Sequence, residues 1–197
     1  MNKIFNITMV GVGGQGIGLL SEVLLRAYDY ANLPVKGVDT HGLAQRGGLV
    51  ISHLRIGLPS AGGLEESRIG SPLVETGRSD LLISLERSEA LRGMNQRLRP
   101  GGTCLYYDAD WQSLAVRKGD EPGVVFSDLK KIAQQGQFRL ERVEAFDLPD
   151  VRMQNMALLN QGIDRELLPF LVKENIRDAL KDLLTGKNLE NNLSLFP

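Results

Sequence analysis

Residues 11–16 have the sequence Gly-Val-Gly-Gly-Gln-Gly, and this spacing of glycines is typical of loops that bind phosphate groups. The segment follows an apolar run and precedes apolar residues at helical spacing, so it predicts a strand, a glycine turn and a helix start. Gly11 and Gly13 let the backbone turn sharply and approach a ligand, Gly16 lets the helix pack on the strand, and the first N–H groups of the helix favour an anion. A tight turn without a ligand is the alternative. The candidate ligand or partner contacts in this loop are Gly11, Gly13, Gly14, Gln15 and Gly16.

A free-standing NAD(P)-dependent oxidoreductase is one interpretation of this loop. Such an enzyme needs an acid near the end of its second strand to bind the ribose hydroxyls, and Asp39 lies at about the right distance along the chain. The residues after Asp39, Thr-His-Gly, differ from the usual continuation. Gln15 is also informative, because its amide can reach the backbone of a neighbouring loop or an amide of a ligand. The loop by itself therefore leaves its ligand open.

A second motif, His-Gly-Leu-Ala-Gln-Arg-Gly-Gly at residues 41–48, follows the predicted second strand. Ligands and partners approach open α/β sheets at the carboxyl ends of the strands. Arg46, with two glycines after it, can present its planar guanidinium to a phosphate, a carboxylate or a carbonyl group of a partner. The alternative is that Arg46 ties the loop together and that His41 is a structural hydrogen-bonding group. The candidate contacts in this loop are His41, Gln45 and Arg46.

Two further sets of polar residues have both a structural and a functional interpretation. Glu86 ends a predicted strand and Glu89 opens the next helix, so we expect them to stabilise the start of that helix. The functional alternative places Glu86 at the ligand-binding edge of the sheet. Alternation along the third strand puts His53 and Arg55 on one face, which is either an interface or a solvated face.

Composition and charge exclude several classes of protein. Apolar residues make up 42% of the 197 residues, and the net charge of −1 gives no general attraction to nucleic acid or to an anionic membrane. We find no membrane span and no signal-peptide pattern, and we expect a cytoplasmic protein. Cys104 is the only cysteine, so this chain alone forms no internal disulfide and no all-cysteine zinc or iron–sulfur site. No motif indicates a catalytic residue or a metal ligand, so the chain resembles one part of a larger enzyme.

The elements that must position these motifs follow an α/β pattern. We predict strands at 3–10, 35–39, 49–56, 81–85, 103–107 and 140–146, with a weaker one at 124–126. We predict helices at 16–31, 87–98, 128–135, 151–161 and 165–184. This alternation indicates a Rossmann-like layered α/β sheet that is mostly parallel. The nine residues 40–48 are too few for a crossover helix, so the third strand is expected to be antiparallel to its neighbour or to lie elsewhere in the sheet.

Two segments lie outside this alternation of strands and helices. Residues 57–80 form a long loop with many glycines and prolines, a kind of loop that is often functional or mobile. Residues 186–197 form a C-terminal tail with a polar start and an apolar tip. We expect this tip to dock on the domain formed by residues 1–185 or on another subunit.

The two glycine-rich motifs together resemble the gamma domain of 2-oxoacid:ferredoxin oxidoreductases. The resemblance rests on the motifs at 11–16 and 41–48 and on Ser-His-Leu-Arg-Ile-Gly at 52–57, and further matches extend over nearly the whole chain. Within this family the chain is most similar to the small (beta) subunits of the indolepyruvate type, in which the gamma domain is a separate polypeptide. Leu43 and Asn160 depart from the family pattern, and the connection at 58–70 is longer than is usual in the family.

The resemblance implies an enzyme that is completed by a larger partner. In this family the reaction is the oxidative decarboxylation of a 2-oxoacid with coenzyme A, which gives an acyl-CoA, carbon dioxide and reduced ferredoxin. The chain would bind no cofactor alone, and a large partner subunit would carry thiamine diphosphate and the iron–sulfur clusters. Coenzyme A is a candidate shared ligand, ferredoxin is an indirect partner, and a homodimer of heterodimers is a candidate assembly.

The expected function is therefore that of the small subunit of an oxidoreductase for indolepyruvate or another arylpyruvate. Three alternatives stay open at this point. The chain could be the gamma subunit of a pyruvate- or 2-oxoglutarate-type complex, a free-standing NAD(P)-binding enzyme that uses Asp39, or an interaction scaffold whose glycine loop binds nothing.

Overall fold

A single six-stranded sheet organises the molecule. The computed structural model describes residues 4–41, 48–59, 69–110, 122–145, 148 and 150–197. The strands are β1 Ile4–Val12, β2 Val35–His41, β3 Leu49–Gly57, β4 Ser79–Ser84, β5 Leu98–Asp108 and β6 Arg139–Glu144. Their order in the sheet is β2-β3-β1-β4-β5-β6. β1, β4, β5 and β6 are parallel and β3 is antiparallel to both of its neighbours, so the predicted α/β sheet with an antiparallel strand is confirmed.

The position of β3 follows from its short connection to β2. A connection too short for a helix can join only antiparallel strands that lie side by side. β3 then also pairs with β1 over the whole length of both strands, from Ile4 opposite Gly57 to Val12 opposite Leu49. As a result, the start of β3 lies beside the end of β1, where the glycine loop begins.

Helices cover both faces of the sheet. The α-helices of the described residues are α1 Ile17–Tyr30, α2 Arg87–Gln96, α3 Phe126–Gly136, α4 Gln154–Asp164, α5 Lys173–Leu183 and α6 Gly186–Leu193, and a 3-10 turn at Val151–Met153 precedes α4. α1, α4 and α5 enclose the larger core on one face, and α2 and α3 enclose a smaller core on the other. None of these helices is both long enough and apolar enough to cross a membrane.

Two predicted elements differ from the structure. The weak strand at 124–126 is wrong, because Phe126 begins α3 and Asp128 caps that helix by accepting a hydrogen bond from the Val125 N–H at 3.0 Å. The single helix at 165–184 is wrong in its first part. Glu166 and Phe170 there have φ angles of 56° and 65°, in the left-handed region, so the helix starts only at Lys173. In both cases a cap or a turn overrides the apolar pattern.

The C-terminal residues return to the larger core. After α6, the side chain of Phe196 is fully buried in that core. Its carbonyl oxygen accepts a hydrogen bond from Arg177 Nη1 of α5 at 2.8 Å. The apolar tip therefore docks on this chain itself, which was one of the two predicted surfaces.

Candidate functional site

β1 and β4 are adjacent parallel strands, and the connections after them leave their carboxyl ends toward opposite faces of the sheet. After β1 the chain enters α1 on the face of the larger core, and after β4 it enters α2 on the face of the smaller core. The two helices therefore leave the sheet on opposite sides. Such a switch point leaves a crevice outside the strand ends, and open α/β sheets bind their ligands there.

The structure brings the two glycine-rich motifs together at this edge. The N–H of Gly13, in the loop after β1, donates a hydrogen bond to the carbonyl oxygen of Gly48 at 2.9 Å. Val12 and Leu49 extend the contact as the last pair of the β1–β3 ladder. The start of the glycine loop and the end of the second motif therefore lie side by side, joined by backbone hydrogen bonds.

Gln15 holds the glycine loop in shape from within. Its Oε1 accepts a hydrogen bond from the Val12 N–H at 2.8 Å, and the side chain is only 6% exposed. A Cβ on Gly11 would lie 2.8 Å from this oxygen and 2.9 Å from a side-chain carbon of Ile17. Gly11 therefore makes room for both the Gln15 amide and the first residue of α1. Close packing of α1 on β1, which the sequence analysis assigned to Gly16, depends on Gly11.

Gly16 contacts a different part of the molecule. It has a φ of 83°, and a Cβ there would lie 2.6 Å from Nδ2 of Asn155. Asn155, at the start of α4 and 1% exposed, donates from Nδ2 to the Gly16 carbonyl oxygen at 3.0 Å. Its Oδ1 accepts from the Met156 N–H at 2.8 Å. Asn155 is not among the predicted site residues, because a residue so distant along the chain gives no local signal of this contact.

The loop presents a set of backbone donors to the crevice. Among the described residues, the N–H groups of Gly14, Gly16, Ile17 and Gly18 have no acceptor. Gly14 is exposed and has a φ of 101°, and no atom of the described residues lies near the position that its Cβ would take. N–H groups at a helix start, together with the positive end of the helix dipole, attract an anion. This part of the loop is suited to a phosphate or a carboxylate.

Asp39 lies close to the same helix start. It is exposed on β2, and its Oδ2 is 3.8 Å from the position that a Cβ on Gly18 would take. β3 lies between β1 and β2 in the sheet, and the Asp39 carboxylate on β2 nevertheless lies beside the first turn of α1. An acid in this place can accept hydrogen bonds from ligand hydroxyls and disfavours a second negative charge beside it.

The second motif is described only at its two ends. Gln45 and Arg46 lie outside the described residues, and for His41 the structure describes the backbone at the end of β2. Gly48, the last residue of the motif, is in contact with Gly13. The predicted contacts of His41, Gln45 and Arg46 with a ligand or a partner stay predictions.

Glu86 is the N-cap of α2, as the structural interpretation proposed. Its two carboxylate oxygens accept hydrogen bonds from the N–H groups of Ser88 and Glu89, at 2.9 and 2.7 Å. The side chain is 1% exposed. Burial raises the pKa of Glu86 above its ordinary value, against the effect of these hydrogen bonds. The functional interpretation of Glu86 loses support, because both oxygens already have backbone partners.

His53 and Cys104 lie in the interior. His53 is 4% exposed, which excludes a solvated face at this residue, and its Nδ1 has no partner among the described residues. Burial, with a smaller effect of Arg97, lowers the pKa of His53, and Asp39 raises it. Cys104 is fully buried in the smaller core, and burial raises the pKa of its thiol. The described residues contain no cluster of three or more histidine, cysteine or acidic side chains that could hold a metal ion.

Comparison with known proteins gives a match over nearly the whole chain. The family model described as pyruvate ferredoxin/flavodoxin oxidoreductase matches residues 6–197. The chain is 28% identical to the indolepyruvate oxidoreductase subunit IorB of Thermococcus kodakarensis over 98% of this chain and 93% of that protein. It is 45% identical to the subunit of the same name from Archaeoglobus fulgidus over 44% of this chain, and that match spans only 38% of the archaeal protein.

Solved structures share the fold. A pyruvate oxidoreductase subunit of Thermotoga maritima superposes with a TM-score of 0.62 at 15% identity and covers 98% of this chain and 93% of that one. A 2-oxoglutarate:ferredoxin oxidoreductase of Magnetococcus marinus, solved with 2-oxoglutarate, coenzyme A and succinyl-CoA, superposes with a TM-score of 0.63 at 18% identity. That match covers the whole of this chain and 30% of the other, so the fold seen here is one part of the longer protein.

Proposed function

The chain belongs to the pyruvate ferredoxin/flavodoxin oxidoreductase family, and we propose that it is the small subunit of a thiamine-dependent 2-oxoacid:ferredoxin oxidoreductase of the indolepyruvate type. The proposed reaction of the complex converts a 2-oxoacid and coenzyme A to an acyl-CoA and carbon dioxide and reduces ferredoxin. The names of the relatives aligned over 98% of the chain support the indolepyruvate type.

The observation that carries the proposal is the hydrogen bond between Gly13 and Gly48, which joins the two motifs at the switch point. A surface built from two backbone loops at a strand edge is suited to a shared site, in which a partner completes the enclosure. In this role the chain binds and orients, and the catalytic groups are proposed to lie on the partner. Glu86 caps α2 and Cys104 is buried, so neither is available to a substrate.

The free N–H groups of the glycine loop fit an anionic group of a ligand. In the proposed complex, the N–H groups of Gly14 and Gly16 would hold a phosphate of coenzyme A or a carboxylate of the partner. His41, Gln45 and Arg46 are proposed to line the same crevice from the second loop. Asp39 would accept hydrogen bonds from hydroxyls of the bound molecule. Bound coenzyme A supplies the thiol that takes the acyl group.

A larger partner subunit is proposed to carry thiamine diphosphate and the iron–sulfur clusters. The chain has one cysteine, and its thiol is buried in the smaller core, so cysteine ligation of a cluster must come from elsewhere. Because the clusters are proposed to lie on the partner, we infer that ferredoxin contacts the partner and not this chain. We also propose that the complex is cytoplasmic. A homodimer of heterodimers is the proposed assembly.

Co-expression with a thiamine-binding large subunit tests the proposal. We expect the two chains to co-purify and to reduce ferredoxin with indolepyruvate or another arylpyruvate in the presence of coenzyme A. Pyruvate and 2-oxoglutarate serve as comparison substrates, and a clear preference for either would move the chain to that type of complex. Failure to associate, together with unchanged ferredoxin reduction when this chain is left out, would contradict the proposal.

A pair of glycine variants tests the loop separately from the fold. Gly14 and Gly77 both have positive φ angles, of 101° and 69°, and a Cβ at either meets no atom of the described part of the chain within 4 Å. We expect Gly14→Ala and Gly77→Ala each to cost about 1–2 kcal/mol in free energy of unfolding, because of backbone strain alone. Only Gly14→Ala should also raise the KM for coenzyme A or weaken association with the large subunit. Equal effects of both variants on these two measurements would show that the glycine loop is not part of the binding site.

A free-standing NAD(P)-binding enzyme is the second candidate, and the position of Asp39 beside the first turn of α1 favours it. Calorimetry of the isolated chain with NAD(H) and NADP(H) separates the candidates. Micromolar binding that Asp39→Ala abolishes would support the nicotinamide enzyme. Absence of binding at millimolar nucleotide would exclude it.

A further inference from the structure

A polar cavity of about 190 Å³ lies at the amino-terminal edge of the sheet. Asn6 near the start of β1, Arg55 near the end of β3, and the residues that lead into β4 form its wall. The glycine loop is at the opposite edge, roughly 20 Å away along β1 at the rise of a strand. The two places therefore cannot share a small ligand. The residues that line the cavity are Asn6, Arg55, Leu73, Val74, Glu75 and Arg78.

Arg55 is held in a fixed orientation by neutral partners. Its Nε donates to Oδ1 of Asn6 at 3.0 Å, and its Nη1 donates to the carbonyl oxygen of Ser71 at 2.9 Å. Within the described part of the chain, no carboxylate lies within 4.0 Å of this partly buried guanidinium. A partly buried arginine is ordinarily paired with a carboxylate, because the hydrogen bonds alone leave its charge uncompensated. Its remaining N–H groups are available to an anion.

Arg78 adds a second guanidinium whose backbone is fixed. Its N–H donates to the carbonyl oxygen of Glu75 at 3.1 Å, and its own carbonyl oxygen accepts from Nδ2 of Asn6 at 3.2 Å. Its side chain is exposed, and no ion pair or side-chain hydrogen bond involves it in the described ranges. Asn6 thus orients one arginine through its side-chain oxygen and the backbone of the other through its side-chain nitrogen.

The nearest carboxylates leave the cavity with an excess of positive charge. Asp80 accepts hydrogen bonds from the Asn6 N–H at 2.8 Å and from Nε of Arg99 at 2.6 Å, so its charge is already compensated. Among the lining residues that the structure describes, Glu75 is the only acid, against two arginines. Two forked guanidiniums with one carboxylate at the border are suited to a single compact oxyanion, and Glu75 disfavours a larger polyanion.

We propose that this cavity is a second binding site, specific for a small oxyanion that carries a phosphate or a carboxylate, with Arg55 and Arg78 as its ligating residues. The cavity is smaller than the range of about 300–1,000 Å³ that drug-sized ligands occupy, which limits the ligand to a small molecule. The site is independent of the glycine loop and of the function proposed for it.

Inorganic phosphate, titrated at constant ionic strength into the full isotope-labelled chain, tests the site by nuclear magnetic resonance. We expect the backbone amides of residues 71–79, apart from Pro72, which has none, to shift in a saturable manner. Amides of residues 12–18 report the glycine loop separately, so the two sites are distinguished in one experiment. Succinate in place of phosphate tells whether a carboxylate serves as well.

Three variants complete the test. Arg78→Gln should weaken phosphate binding at residues 71–79 about tenfold without changing the Tm, because the Arg78 side chain has no partner to lose among the described residues. Glu75→Gln should tighten binding several-fold by removing the like charge. Arg139→Gln, a change to an exposed arginine on β6, is the matched control and should leave binding unchanged. Unchanged affinity in Arg78→Gln, or shifts confined to residues 12–18, would overturn the proposal.

Discussion

At the scale of single residues, the glycine loop depends on two glycines that have no side chain and on the three buried side chains that fill the space beside them. Gly11 makes room for the Gln15 amide and for Ile17, and Gly16 makes room for Asn155 from α4. From the sequence we expected a turn at Gly11 and packing of α1 on β1 at Gly16, but in the structure the packing depends on Gly11 and Gly16 instead contacts Asn155. The sequence did not predict that Asn155, far along the chain, would hold the Gly16 carbonyl group. Long-range hydrogen bonds of this kind depend on the packing of α4 and leave no local pattern.

His53 makes stability depend on pH. Burial holds its pKa below the ordinary value of 6.5, so the unfolded chain takes up the proton first as the pH falls. The contribution of neutral His53 is therefore complete above pH 6.5 and is lost as the pH falls below it. We expect His53→Gln to reduce the loss of Tm between pH 7.5 and 5.5, measured by calorimetry. The same loss of Tm in wild type and variant would contradict a buried neutral histidine.

At the scale of elements, one carboxylate ties three of them together. Asp108, at the end of β5, accepts hydrogen bonds from Nε of Arg87 on α2 and from Nε of Arg142 on β6, at 2.5 and 2.7 Å. Burial raises the pKa of Asp108, but the two arginines lower it by more, so it lies below the ordinary value. The guanidinium of Arg142 also lies 4.5 Å from the ring centre of Phe126, which adds α3 to the group.

We expect Asp108→Asn to lower the free energy of unfolding by about 2 kcal/mol at pH 7, since two guanidiniums lose a buried carboxylate. Both stay partly exposed to water, and Arg142 keeps its exposed partner Glu144. The stabilisation by ionised Asp108 is present above the ordinary aspartate pKa and is lost as the pH falls through the lowered value. The difference between wild type and variant in chemical denaturation should therefore shrink below about pH 4.

Asp150→Asn is the matched control for this element. Asp150 is likewise paired with an arginine, Arg152, and hydrogen bonds from Arg152 lower its pKa, but the pair is local and exposed. We expect little change in stability in this variant. A loss as large as that of Asp108→Asn would mean that any aspartate–arginine pair in this chain has the same effect, whichever elements it joins.

At the scale of the whole molecule, the C-terminal residues pack into the larger core. Phe196 is fully buried, while Phe170 is 59% exposed. We expect Phe196→Ala to lower the free energy of unfolding by about 3–5 kcal/mol, because it opens a cavity in the larger core. Phe170→Ala removes the same atoms from the surface and should change stability by less than about 0.5 kcal/mol. Urea denaturation of both variants measures the difference, and equal losses would contradict the docking of the C-terminus.

The sequence alone determined the α/β class, the antiparallel strand and the positions of the two glycine-rich motifs, because apolar periodicity, glycine spacing and connection length are local properties. Tertiary structure decided the rest. It set β3 between β1 and β2 and so joined Gly13 to Gly48, and it placed Asp39 beside α1. It also made Val125 a helix cap and not part of a strand, and it left residues 165–172 outside the helix predicted for them. Finally, it brought Arg55 and Arg78 to one cavity. These outcomes depend on which strands pair and which helix covers them, and a hydrogen bond between distant residues forms only after that packing is in place.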